Sequence, residues 1–194
     1  ASKEIRDLVS EIKKQQDKGA TISYRLVHTG QHYDKNLSDT FFEELSIPAP
    51  HTNLEVKSGS QATQTGAIMV GFEKELQEHP CDLVLVVGDV TSTMACTIVA
   101  KKAHTKVAHV EAGIRSGDMK MPEEINRMVT DSITDYFFTT SEKATTYLQS
   151  IGHSKEHIFF VGNVMIDTLL HNIKRLRKPD FWEKLALSEK KYFF

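Results

Sequence analysis

Apolar residues Ile5, Leu8, Val9 and Ile12 recur at helical spacing, so the chain opens on a predicted amphipathic helix, which Gly19 is placed to end. Ile22–His28 alternates and is β-branched enough for a strand, and the polar turn Thr29-Gly30-Gln31-His32 follows it. A helix fits Leu37–Leu45, and Pro48 and Pro50 break the chain after it. A short strand near Leu54–Val56 leads through Gly59 into a helix over Gln61–Gln77. From there strands and helices alternate: strands at Asp82–Val87, Lys106–Val110, Tyr136–Thr139 and Ile158–Val161, and helices at Ser92–Lys102, Glu123–Ile133, Glu142–Ser150 and Met165–Arg175. The strand segments are apolar runs without polar alternation, as expected where both faces of a sheet are covered. Strand–helix alternation over short connections predicts an α/β domain with a doubly wound, Rossmann-like parallel sheet.

Two irregularities bear on domain organisation. The chain begins with a helix where a βα series would begin with a strand, and the first strand of a doubly wound sheet is usually central. An upstream strand is therefore expected to be missing from this sequence. At the other end Lys191-Tyr192-Phe193-Phe194 starts another strand-like run, and Arg177-Lys178-Pro179-Asp180 is the best linker candidate. The expected division is a domain over residues 1–176, with 177–194 a linker and the beginning of a second domain.

Charge and composition narrow the function classes. Twenty-four basic residues against 26 acidic give a formal net charge of -2. No dense Lys/Arg run is interleaved with aromatics, so no nucleic-acid partner is expected. The longest apolar stretch, Leu83–Val87, is far too short for a membrane span, and the N-terminal segment does not read as a signal peptide. Cys81 and Cys96 have neither metal spacing nor an oxidised framework, which fits reduced thiols and a cytoplasmic location.

In such a sheet ligands bind outside the carboxyl ends of the strands, so the residues just after each strand carry the candidate chemistry. Gly88-Asp89 follows the strand ending at Val87. Asp89 reads either as a cap for the next helix or as a carboxylate at the rim of a cleft. Glu111-Ala112-Gly113 follows Lys106–Val110, well before the next helix, and Arg115 brings a cation into the same loop. Pro122-Glu123-Glu124 suits a helix start, where proline and acids are favoured without any catalytic role. Glu123 and Arg127, four residues apart, could form a surface pair. Their combination on consecutive strand-end loops favours a site, since neighbouring carboxylates can push one another into acid and base roles. His32, Gln31 and Gln61 lie on other loops after strands and suit bracing as well as ligand contact. No carboxylate–histidine spacing argues for a metal, and no G-x-G-x-x-G follows a strand, so neither metal nor cofactor is expected.

The ordered set His28-Thr29-Gly30-Gln31-His32-Tyr33-Asp34, Val87-Gly88-Asp89-Val90-Thr91-Ser92, His109-Val110-Glu111-Ala112-Gly113-Ile114-Arg115-Ser116-Gly117 and Met121-Pro122-Glu123-Glu124-Ile125-Asn126-Arg127 resembles the non-hydrolysing UDP-N-acetylglucosamine 2-epimerases. Phe138-Thr139-Thr140-Ser141-Glu142 and Val161-Gly162-Asn163-Val164-Met165-Ile166-Asp167 are similar to later motifs of that family. The resemblance implies the N-terminal half of a two-domain fold of the glycosyltransferase-B type, with substrate between the halves. It implies catalytic roles for Asp89, Glu111 and Glu123, and a substrate site including Arg127, Gly88, Arg115, His32 and Gln31. The implied reaction interconverts UDP-N-acetylglucosamine and UDP-N-acetylmannosamine by eliminating UDP across C1–C2 and adding it back, on the route to a cell-surface polysaccharide precursor. A homodimer is the implied assembly. The family's opening strand with its Gly-Thr-Arg-Pro segment, and its second domain, have no counterpart here, so the chain by itself is expected to be inactive. The competing expectations are a hydrolysing epimerase, a glycosyltransferase on the same scaffold, or a non-catalytic sugar-nucleotide-binding module.

Overall fold

The structure, a computed structural model, describes residues 2–30 and 48–173. The predicted helix over Leu37–Leu45 and the candidate residues Gln31 and His32 lie outside them, as do residues 177–194. The chain divides into two compact units, residues 1–163 and 164–194.

In the first unit the described elements are α1 (Ser2–Asp17), β1 (Val27–His28), β2 (Thr52–Asn53), α2 (Gln61–Glu78), β3 (Leu83–Val87), α3 (Thr91–Lys102), β4 (Lys106–Ala112), α4 (Pro122–Ile133), β5 (Tyr136–Thr139), α5 (Glu142–Ser150), a 3₁₀ turn at Lys155–His157 and β6 (Ile158–Phe160). In the second unit α6 (Val164–Ile173) is the described element. Among the described residues every strand pairing is parallel, and the order is β3-β4-β5-β6 in one sheet and β1-β2 in another. This is the α/β parallel architecture expected from the alternation.

The two early strands depart from the sequence reading. Ladder pairing near Ile22–His28 is confined to Val27–His28, and its partner is Thr52–Asn53 rather than Leu54–Val56. The alternation of the first segment serves side-chain contacts instead: Tyr24 packs edge-on against the His51 ring, and Arg25 pairs with Glu75 of α2. The second segment is interrupted at Glu55, which takes a left-handed φ of 52°, a conformation no strand continues through.

The core follows from helix periodicity on strand runs. Ile68, Phe72 and Leu76, four residues apart on one face of α2, meet Val84 and Val86 of β3 and Ala95, Val99 and Ala100 of α3. A second cluster joins Ala112, Phe137, Leu148 and Ile158. Full burial of a side chain the size of Phe137 or Leu148 contributes about 1.5–3 kcal/mol. These clusters fix the sheet beneath the loops that carry the polar candidates. Among the described residues no helix is long and apolar enough to cross a membrane.

Candidate active site

The strand ends bring the Gly88-Asp89 turn and Glu111 side by side through a short series of contacts. Gly88 turns the chain out of β3 at a φ of 73°, and its N–H donates to the Val110 carbonyl at 3.0 Å, locking the ends of β3 and β4 side by side. One residue later the β4–β5 register shifts between Val110 and Ala112, so Glu111 sits in a bulge with a φ of 71°. A bulge re-aims a side chain. Here it leaves the Glu111 carboxylate beside Gly88, whose missing side chain would meet Glu111 Oε2 at 3.5 Å.

Asp89 does not cap α3. The N-cap position there is Val90, which makes no side-chain cap bond. The Asp89 carboxylate is instead taken by Arg127, which donates to Oδ2 from Nε at 2.9 Å and from Nη2 at 2.5 Å. Asn126 of the same helix donates to the Asp89 carbonyl at 2.8 Å. The possible Glu123–Arg127 surface pair is not formed, since the second acid bound by Arg127 is Glu124, at 2.8 Å from Nη1. Glu123, half-buried in the first turn of α4, has no hydrogen-bond or ion-pair partner among the described residues. It lies one turn before Arg127 on the same helix face.

Two buried acids that sequence reasoning passed over organise this region. Glu124, read there only as a helix-start acid, is 2% exposed and accepts the N–H groups of Ser116 at 2.9 Å and Gly117 at 3.0 Å, besides Arg127. Burial works to raise its carboxyl, but the two backbone donors and Arg127 outweigh that and hold it down at about 2. Arg127 is shifted upward: its desolvation is outweighed by Glu124 and Asp89. Asp131 is fully buried, its Oδ1 at 2.7 Å from His109 Nδ1, and its Oδ2 accepts from Gly113 N at 3.1 Å and Arg115 Nη1 at 2.7 Å. Burial again opposes ionisation, and His109 and Arg115 outweigh it, so the carboxyl is lowered. The signal available in the sequence was spacing alone: Glu124, Arg127 and Asp131 fall three and four residues apart on one helix.

Arg115, a candidate for contacting substrate, is turned inward. Its guanidinium stacks 4.6 Å above the Tyr147 ring and donates to Asp131 and to the Ile114 carbonyl. Gln61 braces the site from α2, its Oε1 accepting from Thr91 Oγ1 at 3.1 Å. One carboxylate–histidine cluster does exist among the described residues, Glu75, Glu78 and His79 at the end of α2. It leads into the start of β3, at the opposite edge of the sheet from Asp89, and Glu75 is already paired with Arg25.

The fold and site define a parallel α/β protein with Asp89 and Glu111 at the ends of adjacent strands, Arg127 on Asp89, and Glu123 one turn before that arginine. The chain matches the family model described as UDP-N-acetylglucosamine 2-epimerase over residues 14–194, and it belongs to that family. A UDP-N-acetylglucosamine 2-epimerase homolog of Methanococcus maripaludis is 47% identical over 169 residues, 86% of this chain and 47% of the relative. A UDP-2,3-diacetamido-2,3-dideoxy-D-glucuronate 2-epimerase of Pseudomonas aeruginosa is 40% identical over 161 residues, 82% of this chain and 46% of the relative. The crystal structure of the Methanocaldococcus jannaschii UDP-GlcNAc 2-epimerase in complex with UDP-GlcNAc and UDP aligns with a TM-score of 0.78 and 41% identity, over 87% of this chain and 46% of that one. The chain thus spans about half the length of the relatives it matches.

Proposed function

We propose that the protein is a non-hydrolysing nucleotide-sugar 2-epimerase that interconverts UDP-N-acetylglucosamine and UDP-N-acetylmannosamine. The observation that supports this is the placement of Arg127-bound Asp89 and of Glu111 at the ends of adjacent strands, with Glu123 at the start of the helix that carries Arg127, on a chain whose relatives are 2-epimerases of nucleotide sugars. The reaction removes the C2 proton to a carboxylate base while the C1–O bond to UDP breaks, leaving a C1=C2 double bond. Return of a proton to the opposite face of C2, with UDP adding back at C1, inverts that centre and consumes nothing. One base and one acid on opposite faces of the sugar meet the need, and Glu111 and Glu123 are the pair assigned to C2. Asp89, held by Arg127, orients the sugar. Gly88 keeps the backbone close beside Glu111, and Gln31 and His32 remain candidates for substrate contact. Arg115 is assigned to bracing the loop through Asp131 rather than to the diphosphate. A cytoplasmic homodimer supplying a precursor of cell-surface polysaccharide completes the reading.

The Pseudomonas aeruginosa relative favours a second substrate with the same chemistry, a UDP-linked 2,3-diacetamido uronate. NMR of each nucleotide sugar in heavy water with the full-length protein decides between them. Deuterium at C2 together with the epimeric UDP-sugar is the expected result. Free N-acetylmannosamine plus UDP would mean hydrolysis, and binding without exchange would reduce the protein to a binding module.

A further inference from the structure

Glu111 occupies a left-handed backbone conformation, φ 71°, that a residue with a side chain adopts only at a cost of about 1–3 kcal/mol. Something in its surroundings must hold it there, and both of its flanks lead to one side chain. Two residues before it, His109 Nδ1 lies 2.7 Å from Asp131 Oδ1. Two residues after it, Gly113 N–H donates to Asp131 Oδ2 at 3.1 Å. The other ring nitrogen of His109 lies 2.8 Å from the Gly88 carbonyl, which ties the same clamp to the turn beside the Glu111 carboxylate. Gly113 is pressed against α5 so closely that a Cβ there would stand 2.6 Å from the Ala144 carbonyl oxygen. The bulge is thereby gripped on β3, α4 and α5 at once.

We propose that Asp131 and His109 are positioning residues for Glu111: together they clamp the two sides of the β4 bulge and so aim the Glu111 carboxylate at the sugar. Both side chains are fully buried, 0% exposed, and apart from the Asp131–Arg115 ion pair they act on the site through the backbone they hold. Burying an ionised carboxylate carries a desolvation cost that offsets part of the attraction it gains, so stability alone does not account for the pair. Its return here is geometric. Displacement of a reacting group by about 1 Å can cost about a hundredfold in rate, so loosening the clamp acts on turnover more than on binding.

The inference rests on the assignment of Glu111 to proton transfer at C2, and the experiment separates the two. In the full-length protein, wild type, Asp131→Asn and His109→Gln are compared for C2 deuterium exchange, for kcat and KM, for Kd of the nucleotide sugar, and for thermal melting. Asparagine keeps the volume and one acceptor of Asp131 but presents an amide to His109. Glutamine at 109 can still donate to Gly88 but does not reach Asp131. The expected result is a kcat lowered about ten- to a hundredfold in folded variants, with Kd changed less than about threefold. Unchanged kcat in either folded variant overturns the positioning role while leaving the epimerase reading intact. Loss of kcat only in proportion to lost folding, or failure of both variants to fold, makes the pair structural and also overturns it. A folded wild type that shows no C2 exchange sinks both assignments.

Discussion

Replacing Glu124 by glutamine removes one charge from a side chain that is 3% exposed and tests how this acid is held. Its carboxylate accepts Ser116 N–H, Gly117 N–H and Arg127 Nη1, and its carboxyl sits at about 2 instead of the ordinary 4.5. That difference is worth about 3 kcal/mol of folding stability at neutral pH. Glutamine can still accept from the two backbone donors, but its amide faces the Arg127 guanidinium with donor against donor. The pH dependence has a definite sign. Because the carboxyl is lowered in the folded state, its contribution is full above about pH 4.5 and is lost as pH falls toward about 2. Urea denaturation of wild type and Glu124→Gln, followed by circular dichroism at pH 7, 5, 4 and 3, measures the gap directly. A gap of about 3 kcal/mol at pH 7 that shrinks progressively below pH 4.5 is expected. A gap independent of pH, or one below about 0.5 kcal/mol at neutrality, would refute the reasoning, since surface substitutions reach that size without any such network.

Glu111→Gln and Glu123→Gln should each slow C2 exchange by about a hundredfold or more while the nucleotide sugar still binds by calorimetry. Full-rate exchange in either variant removes that residue from proton transfer. Gly113→Ala should destabilise far more than Gly88→Ala in thermal melting: both carry positive φ, costing about 1–2 kcal/mol for alanine, but only Gly113 would also drive a Cβ into a backbone carbonyl. Equal losses would contradict the close packing of the β4 bulge against α5. Cys96, buried with its thiol pushed up to about 12, should resist a thiol reagent in the native protein while exposed Cys81 reacts, and both should react in denaturant. Two reactive thiols in the native state would be inconsistent with the α3 core.

The parts of the fold that could be read from the chain are those with local causes. Apolar runs such as Leu83–Val87 have a single use in an α/β protein, and Pro122 marks a helix start because it gives up only an N–H that the first turn leaves unbonded. That Asp89 and Glu111 lie at one edge of the sheet was legible because it depends only on topology: whatever follows adjacent parallel strands must lie at that edge. What escaped were the features set by distant partners. Asp89 has the composition of a helix cap, and only the arrival of Arg127 across the turn shows that its carboxylate is otherwise engaged. Arg115 has the look of an anion-binding cation, yet Asp131, 16 positions away, draws it inward. No periodicity marks Glu111 as left-handed, because that conformation is imposed by contacts from α4 and β3 on its neighbours.

These misses share a physical origin. Glu124 and Asp131 are charged residues on a helix whose exposed positions include Ile125 and Met128, so a hydrophobic-face argument would turn α4 the wrong way. The helix buries acids because the strand-end loop presents unbonded N–H groups and an arginine toward it: Ser116, Gly117 and Gly113 supply the first and Arg115 the second, while Arg127 of α4 itself pairs with Glu124. A loop that must leave room for a ligand cannot satisfy its donors with a regular ladder, and buried carboxylates take the place of that ladder. The inverted polarity of α4 is therefore itself a marker of the proposed site. On this helix the acids that face inward, Glu124 and Asp131, shape the loops, and the half-exposed acid, Glu123, is the one on which the proposed reaction draws.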